Sequence, residues 1–403
     1  MSTTSSDILL AGAGLSGLTL ALELARQPAF RDKRILLLDR DAKTRNDRTW
    51  SFWATPHEPL PPTVHRVWPR ARFAAQGTEH AMDMGEYRYH TVRGIDYYQW
   101  AHAELSTHPN VQRVQAAIQH IDNEMGAVVT DSGVFQAPVV FNSAFTPSPL
   151  IPADVRFPSP FSDNGQQISS RFTRLLQHFK GWFIRTDTPV FDPEEVRFMD
   201  FGVTQDGAVR FVYVLPFSET EALVEYTLFS PELLPDDQYD AALKHYISHF
   251  LNIRQYSIRE TEFGVIPMTD DPFRPRQHGR VWNIGTAAGF VKPSSGYAFK
   301  RTLRKMSAFA AHWAQAGAPD ARLFDSPWRF RAYDSILLRV LRDQPELGQQ
   351  VFNGLFSKLP AHQVLRFLDE DTTFAQELNV MRSVPMRHFV QAAIQQMPTL
   401  TNL

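Results

Sequence analysis

The chain has no cysteine among its 403 residues. That excludes disulfides, thiolate nucleophiles and Cys-based zinc sites, and it suits a reducing compartment such as the cytoplasm. Neither sign of charge dominates: 41 Lys and Arg stand against 43 Asp and Glu, a net −2. Without a basic excess or a long charge run, nothing points to nucleic acid. The histidines are spread along the chain, and no metal site is expected from them. Internal repeats and low-complexity linkers are also missing. Long apolar runs are scarce. The most apolar stretch, residues 8–24, has no Lys or Arg before it, is interrupted by Glu23 and is short for a bilayer. Neither a signal peptide nor a spanning helix is expected there.

Phenylalanine, by contrast, is abundant: 30 residues, with aromatics at 12%. This fits a large apolar cavity or a membrane-contacting surface, and equally an ordinary Phe-rich core. The length allows two or three structural units.

The first forty residues are the most informative. Ile8-Leu9-Leu10-Ala11 runs straight into Gly12-Ala13-Gly14-Leu15-Ser16-Gly17. A helix-like stretch follows, then a second apolar run, Ile35 to Leu38, that ends on Asp39. Strand, G-x-G-x-x-G, helix, strand and an acid about twenty residues on is the layout of a dinucleotide-binding βαβ unit. Gly12 allows the tight turn, Gly14 lets backbone approach a pyrophosphate, and Gly17 lets helix and strand pack closely. The helix N-terminus offers free N–H groups to phosphate, and Asp39 can accept from ribose hydroxyls.

Further along, residues 96–106 read as a helix. Val111–Val114, 118–137 with a turn near Asp131-Ser132-Gly133, Val139–Asn142 and Val281–Ile284 read as strands. A second zone, about 151–279, is mostly β, with strands at Gly181–Arg185, Val196–Phe201, Val209–Leu215 and Ala222–Phe229. The last two are expected to form an antiparallel hairpin. From Lys300 onward the pattern is helical. The expected fold is therefore α/β: an FAD-binding Rossmann-like domain, an inserted antiparallel β-sheet substrate domain and a helical C-terminal region. The expected boundaries are 1–55 with 90–150 and 280–305 for the first, 56–89 with 151–279 for the second, and 306–403 for the third. The Gly- and Ser-rich segment from Ile284 to Phe299 suits a second cofactor contact, through Gly285, Gly289 and Gly296.

Glu225 stands out. It lies inside the strand-like run Ala222 to Phe229, on one face with Leu223 and Thr227, while Val224, Tyr226 and Leu228 take the other. Two placements are open. On a solvated face it is unremarkable. In an apolar cavity shared with Phe211, Tyr213, Leu215 and Phe217, burial raises its pKa and keeps it protonated, a plausible proton donor to an alkene. Phe201, Phe211, Tyr213 and Tyr226 are then substrate-contact candidates, as are Trp182, Phe183 and Phe198, because ring quadrupoles stabilise a carbocation.

Asn46-Asp47-Arg48-Thr49-Trp50-Ser51-Phe52-Trp53, Phe198 to Phe201, Leu223-Val224-Glu225-Tyr226-Thr227, Gly264 to Thr269 and Lys292 to Phe299 follow one another along the chain. In kind and order they resemble the motifs of the flavin-dependent lycopene beta-cyclase family, and the helical tail is more loosely similar to the family's bacterial branch. The resemblance implies a carotenoid-biosynthetic isomerase that uses reduced FAD, with NAD(P)H as reductant, and makes no net redox change. It implies that an acid protonates the terminal double bond of lycopene, that the cation closes a six-membered ring, and that proton loss gives the β-ring. The family's essential carboxyl matches Glu225, and Arg48 is a candidate to hold the cofactor or its charge. The plant form has two adjacent acids where this chain has Glu225 and Tyr226, so Asp200 is the expected second carboxyl. A membrane-borne hydrocarbon substrate implies peripheral contact with the inner face of a membrane. Ile336–Arg342 and Val351–Leu359 are the amphipathic candidates, against a bland reading as ordinary packed helices. A redox flavoenzyme of the same fold, such as a hydroxylase or isoprenoid reductase, and a non-catalytic carotenoid- or flavin-binding protein are the competing expectations.

Overall fold

The structure is a computed structural model that describes residues 3–144, 172–273 and 279–400. The start of the expected second zone, 151–171, lies outside the described residues.

The strands Ile8–Ala11 and Ile35–Asp39 are buried along almost their whole length, as continuous apolar runs in a parallel sheet must be. They sit inside a five-stranded parallel sheet, ordered Val281–Asn283, Val139–Asn142, Ile8–Ala11, Ile35–Asp39, Val111–Gln115. The helices Leu15–Arg26, Gly94–Ser106 and Phe299–Ala316 share one core with one face of this sheet. On the other face Leu9, Leu36 and Val140 meet Val128 and Phe135 of a four-stranded sheet, Thr3–Ser5 with Gly133–Gln136, Ala127–Thr130 and Ile118–Asp122.

The second large element is a seven-stranded sheet. Its order is Ser257–Thr269, Arg174–Arg185, Glu221–Ser230, Val209–Pro216, Glu195–Asp200, Arg70–Ala75, Thr78–Ala81. The Val209–Pro216 and Glu221–Ser230 strands form the expected hairpin. Alternation gives the sheet two apolar faces. Val224, Tyr226 and Leu228 pack on the helix Asp236–His245, whereas Leu223, Phe211 and Phe229 pack toward the C-terminal helices. Residues 56–89 are divided. Arg70–Ala75 and Thr78–Ala81 join the large sheet, but Arg66–Trp68 joins Thr49–Ala54 and Arg88–Arg93 in a separate three-stranded sheet.

The C-terminal helices include Trp328–Asp343, Gly348–Lys358, Ala361–Leu368 and Phe374–Ser383, and the last is Met386–Leu400. Buried ion pairs clamp them to the dinucleotide fold. Lys292 Nζ lies 2.8 Å from both carboxylate oxygens of Asp334, Lys300 Nζ 2.6 Å from Asp369, and Arg301 2.7 Å from Glu370. Burial alone would raise Glu370, but Lys292 and Arg301 hold it down to about 2. Lys292 and Lys300 belong to the segment that also carries Gly296 and Tyr297, so this clamp fixes that segment against the tail.

Candidate functional site

The first part of the site is the loop from Ile8–Ala11 into the helix Leu15–Arg26. Gly12 has φ +107°, and a Cβ there would meet Ser143 Oγ at 2.5 Å, so only glycine fits. A Cβ on Gly17 would collide with the Gly12 carbonyl, which explains the close helix–strand packing. Gly14 is different: nothing stands where its Cβ would point. It caps a helix that has no side-chain cap and no acid in its first turn. Backbone donors therefore face an open cradle, which suits a phosphate. Asp39 lies beside it, accepting from the Ala13 N–H at 2.6 Å and the Asp41 N–H at 2.8 Å. Arg48 pairs with Asp47 at 3.3 Å and keeps more than half its side chain exposed, with Asp39 and Tyr98 close enough to act on its charge. Gly285 and Gly289 have positive φ, as does Gly296, where a Cβ would strike the otherwise unbonded Gln177 Oε1. These residues fit a flavin dinucleotide: a phosphate cradle, an acid for the ribose and a Gly-rich second loop.

The second part is built on the seven-stranded sheet. Tyr213, Glu225, Gly181 and Glu262 stand opposite one another on four adjacent strands. They form one row across the sheet. Gly181 carries no side chain, so the two glutamates meet over it and hydrogen-bond to each other. Thr227 Oγ1 donates to Glu225 Oε1 at 3.0 Å, and Thr49 Oγ1 donates to Glu262 Oε2 at 2.9 Å. Above them, the Tyr89 and Tyr297 hydroxyls approach at 3.3 Å, and Tyr297 also bonds Tyr213. Trp53 stacks edge-on against Tyr297 at 4.5 Å. Phe198 and Phe211 brace Tyr213 from behind, at 5.6 and 5.3 Å.

Burial dominates the electrostatics. It pushes Glu225 up to about 7 and Glu262 well above the usual carboxylate range, the negative field of Glu225 adding to the latter. Among the described residues no Lys, Arg or His pairs with either glutamate. Both residues nonetheless keep some exposure, so they sit at the edge of the packed core rather than inside it.

The structure decides the two placements left open for Glu225: it faces inward with Leu223, Thr227 and Tyr213. It also separates residues that the sequence had grouped. Asp200 stands opposite Val212, on the Tyr226 face of the sheet. Its carboxylate is occupied by the Tyr246 hydroxyl at 2.6 Å, Arg197 at 3.1 Å and the Gly202 N–H at 2.8 Å. It is thus not beside Glu225. Tyr226 points the same way, toward Tyr239 and Arg210, and so does Trp182. Phe201 and Phe211 are on the Glu225 face but fully buried, Phe201 against Phe73 and Phe352. An irregularity at Met199, where φ is +57°, lets both Phe198 and Phe201 reach that face. One H-x-x-x-H pair, His245 and His249, stacks ring on ring at 4.3 Å near the end of the helix Asp236–His245, away from this site.

Glu262, Gly181, Thr49, Tyr89 and Tyr297 were not singled out from sequence. Thr49 and Tyr297 fall inside motifs already noted, and Glu262 stands two residues before another. The acid in a strand was the available signal, but its partner is revealed only by register.

A family model described as lycopene cyclase protein matches residues 7–394. The chain belongs to the lycopene cyclase family. It is 28% identical over 408 residues to a lycopene beta-cyclase of Paracoccus sp. (strain N81106 / MBIC 01143), covering 94% of each chain. A shorter match, 41% over 96 residues, links it to a lycopene beta cyclase of Capsicum annuum, covering 23% of this chain and 18% of that one. In fold it is similar to a flavoprotein/dehydrogenase from Cytophaga hutchinsonii, at TM-score 0.61 and 12% identity, over 98% of this chain and 100% of that one. It is also similar to a geranylgeranyl bacteriochlorophyll reductase-like protein from Thermoplasma acidophilum, at TM-score 0.56 and 13% identity, over 100% and 98%. This cyclase family member thus has the α/β flavoprotein fold expected from the order of its segments.

A side chain at position 181 must disturb the carboxyl pair, because its Cβ would lie 2.8 Å from Leu223 Cδ1 and 3.0 Å from Glu262 Cγ. Gly181→Ala is expected to lower stability by roughly 1–3 kcal/mol, the usual cost of overpacking. Urea unfolding of the variant beside the wild type measures it.

Proposed function

We propose that this protein cyclises the linear ends of lycopene to β-rings, with Glu225 as the acid that starts the reaction. The observation that carries this reading is the Glu225 carboxyl, raised by burial and without a basic partner, on an aromatic-walled face of a lycopene cyclase family chain. A carboxyl at about 7 remains substantially protonated at neutral pH and so can donate to an alkene. The proton adds to the terminal double bond, the neighbouring double bond closes the ring, and loss of another proton leaves the β-ring. Tyr89, Tyr213, Tyr297 and Trp53 present rings and few competing nucleophiles to a cation, and exclusion of bulk water protects it from capture. Phe201 and Phe211 support this wall from the core, while Tyr226 and Asp200 act on the opposite face as structural groups.

FAD is the proposed cofactor, reduced at the expense of NAD(P)H, and it supplies negative charge near the cation when bound. Gly12, Gly14, Gly17 and Asp39 would hold its adenosine and pyrophosphate, Arg48 its charge, and Gly285, Gly289 and Gly296 its remaining length. The proposed division of labour keeps the three expected units of FAD-binding fold, substrate sheet and helical tail, but moves two boundaries: Arg66–Trp68 leaves the substrate sheet, and the helix Phe299–Ala316 stays whole with the FAD-binding fold. The enzyme class is an intramolecular lyase or isomerase.

Peripheral attachment to the inner face of the membrane is part of the proposal, but not through the stretches first considered. Leu338, Val340 and Leu341, like Val351, Phe352, Leu355 and Phe356, are buried, so the bland reading of ordinary helix packing holds for both. Among the described residues no helix is long and apolar enough to cross a membrane. The last helix instead exposes Met386, Val390, Ile394 and Met397, the last two by 63% and 60%. Their spacing puts them on one stripe. From residue 378 onward there is no acid, while Arg382 and Arg387 are exposed, so the charge suits an anionic lipid surface.

Two outcomes are expected. With chemically reduced FAD, lycopene liposomes, no oxygen and no nicotinamide, the protein converts lycopene to a product of unchanged mass, and Glu225→Gln lowers the rate at least about 100-fold. A product that gains hydrogen or oxygen would instead assign the chain to redox chemistry. In flotation with anionic liposomes, Val390→Glu/Ile394→Glu leaves the membrane fraction while the wild type stays in it; equal flotation would remove the last helix from the account.

A further inference from the structure

We propose that Glu262 is the second carboxyl of the reaction: it receives the proton the new ring gives up and returns it to Glu225. This rests on the cyclase reading above. Glu225 alone begins the chemistry as an acid but cannot be the whole cycle unless the proton comes back to it.

The atoms balance without any oxidant or reductant. A C–H bond forms at the terminal double bond, whose π pair is used, as the Glu225 O–H breaks; Glu262, the more strongly raised of the two, passes its own proton to Glu225 and is left as the carboxylate. The π pair of the neighbouring double bond forms the ring C–C bond, and the positive charge moves to its far carbon. A C–H bond beside that carbon then breaks. Its electron pair becomes the ring double bond, and its proton goes to a Glu262 oxygen. Both carboxyls are then protonated again, and the proton taken up by Glu262 is the one relayed to Glu225 in the next turnover.

Geometry selects Glu262 for this role. Strand alternation makes an acid next to Glu225 useless, since position 226 points through the sheet to its other side. The second carboxyl must come from another strand, and Glu262 stands across Gly181 from Glu225 in the same row. Its Oε2 is held by Thr49, and its Oε1 lies over the glycine, 3.3 Å from where a Cβ would be. A side chain at 181 would block the space through which the two carboxyls meet. The ionisable groups facing the pair are Tyr89, Tyr213 and Tyr297 around Glu225 and Glu260 beside Glu262. All are neutral or acidic, so nothing cationic competes for the shared proton. Burial raises both carboxyls, which keeps at least one proton on the pair at neutral pH.

The test compares Glu262→Gln with wild type and Glu225→Gln in two measurements on the full-length protein. The first is turnover of lycopene with product analysis. Glu262→Gln should lose β-ring formation at least about 100-fold, and any residual product should carry a displaced double bond or added water. The second is thermal stability from about pH 5 to 9, with no substrate or cofactor. A carboxyl whose pKa is raised by folding binds a proton that the unfolded chain has released, so stability falls as pH rises through the range above the ordinary glutamate value. Either Gln variant should flatten that fall and melt higher than wild type at the alkaline end. Residual activity within about threefold of wild type, or a pH dependence of melting unchanged by Glu262→Gln, overturns the proposal. If wild type itself forms no ring, the cyclase reading fails, while the melting profiles still decide whether the two carboxyls share a proton.

Discussion

Two carboxyls buried together without a cation are the constraint around which this molecule is arranged. A buried charge is expensive unless it is paired, and two like charges in contact are worse. The pair is tolerated because it keeps a proton and because hydroxyls, not cations, satisfy its oxygens. A Lys or Arg at hydrogen-bonding distance would stabilise the ionised form and abolish the acid. The contrast with Lys292, Lys300 and Arg301 is instructive. Those cations pair with Asp334, Asp369 and Glu370; Lys292 and Arg301 drive Glu370 down to about 2, whereas at Asp369 burial outweighs Lys300 and leaves the carboxyl raised. Glu370 is made a fixed charge and the glutamate pair a proton carrier, and the difference between these two places is that Lys292 and Arg301 stand beside Glu370 while no cation stands beside the pair.

The two kinds of carboxyl site are coupled through the fold. The segment after Val281–Asn283 carries the Gly-rich turns of the cofactor loop, then Tyr297 above the acid pair, then Lys300 and Arg301 at the start of the next helix. Its position relative to the large sheet sets how Tyr297 meets Tyr89 and Tyr213. The buried ion pairs to the tail hold that position. Removing one partner of such a pair typically costs about 3–5 kcal/mol, because the other charge is stranded. The helical tail therefore acts as a clamp that keeps the cofactor-side loop pressed against the acid-bearing sheet.

Much of this was legible in the chain, and the reasons for the misses are physical. The dinucleotide fold was visible because its demands are local: positive φ at Gly12, no Cβ at Gly17, an acid at the end of the second strand. Glu225 was visible because an acid in an apolar strand contradicts its surroundings. Glu262 was not, since its strand is polar at the start and the contact depends on register across Gly181. Asp200 was misplaced because the irregularity at Met199 shifts the alternation of its strand, and one of its partners, Tyr246, comes from a helical segment far away in sequence. The apolar segments of the tail looked suited to a membrane for a similar reason. Amphipathic helices that pack and those that meet lipid share one pattern, and only the packed structure shows that the last helix keeps its stripe uncovered.

The proposed chemistry depends on the Glu225–Glu262 pair holding a proton at neutral pH. Infrared difference spectroscopy of the wild type against Glu225→Gln and Glu262→Gln at pH 7 tests it most directly. The wild type should show a protonated-carboxyl C=O stretch that is lost or shifted in both variants and that moves on transfer to heavy water. Only carboxylate bands at these two positions, with no protonated carboxyl, would contradict it.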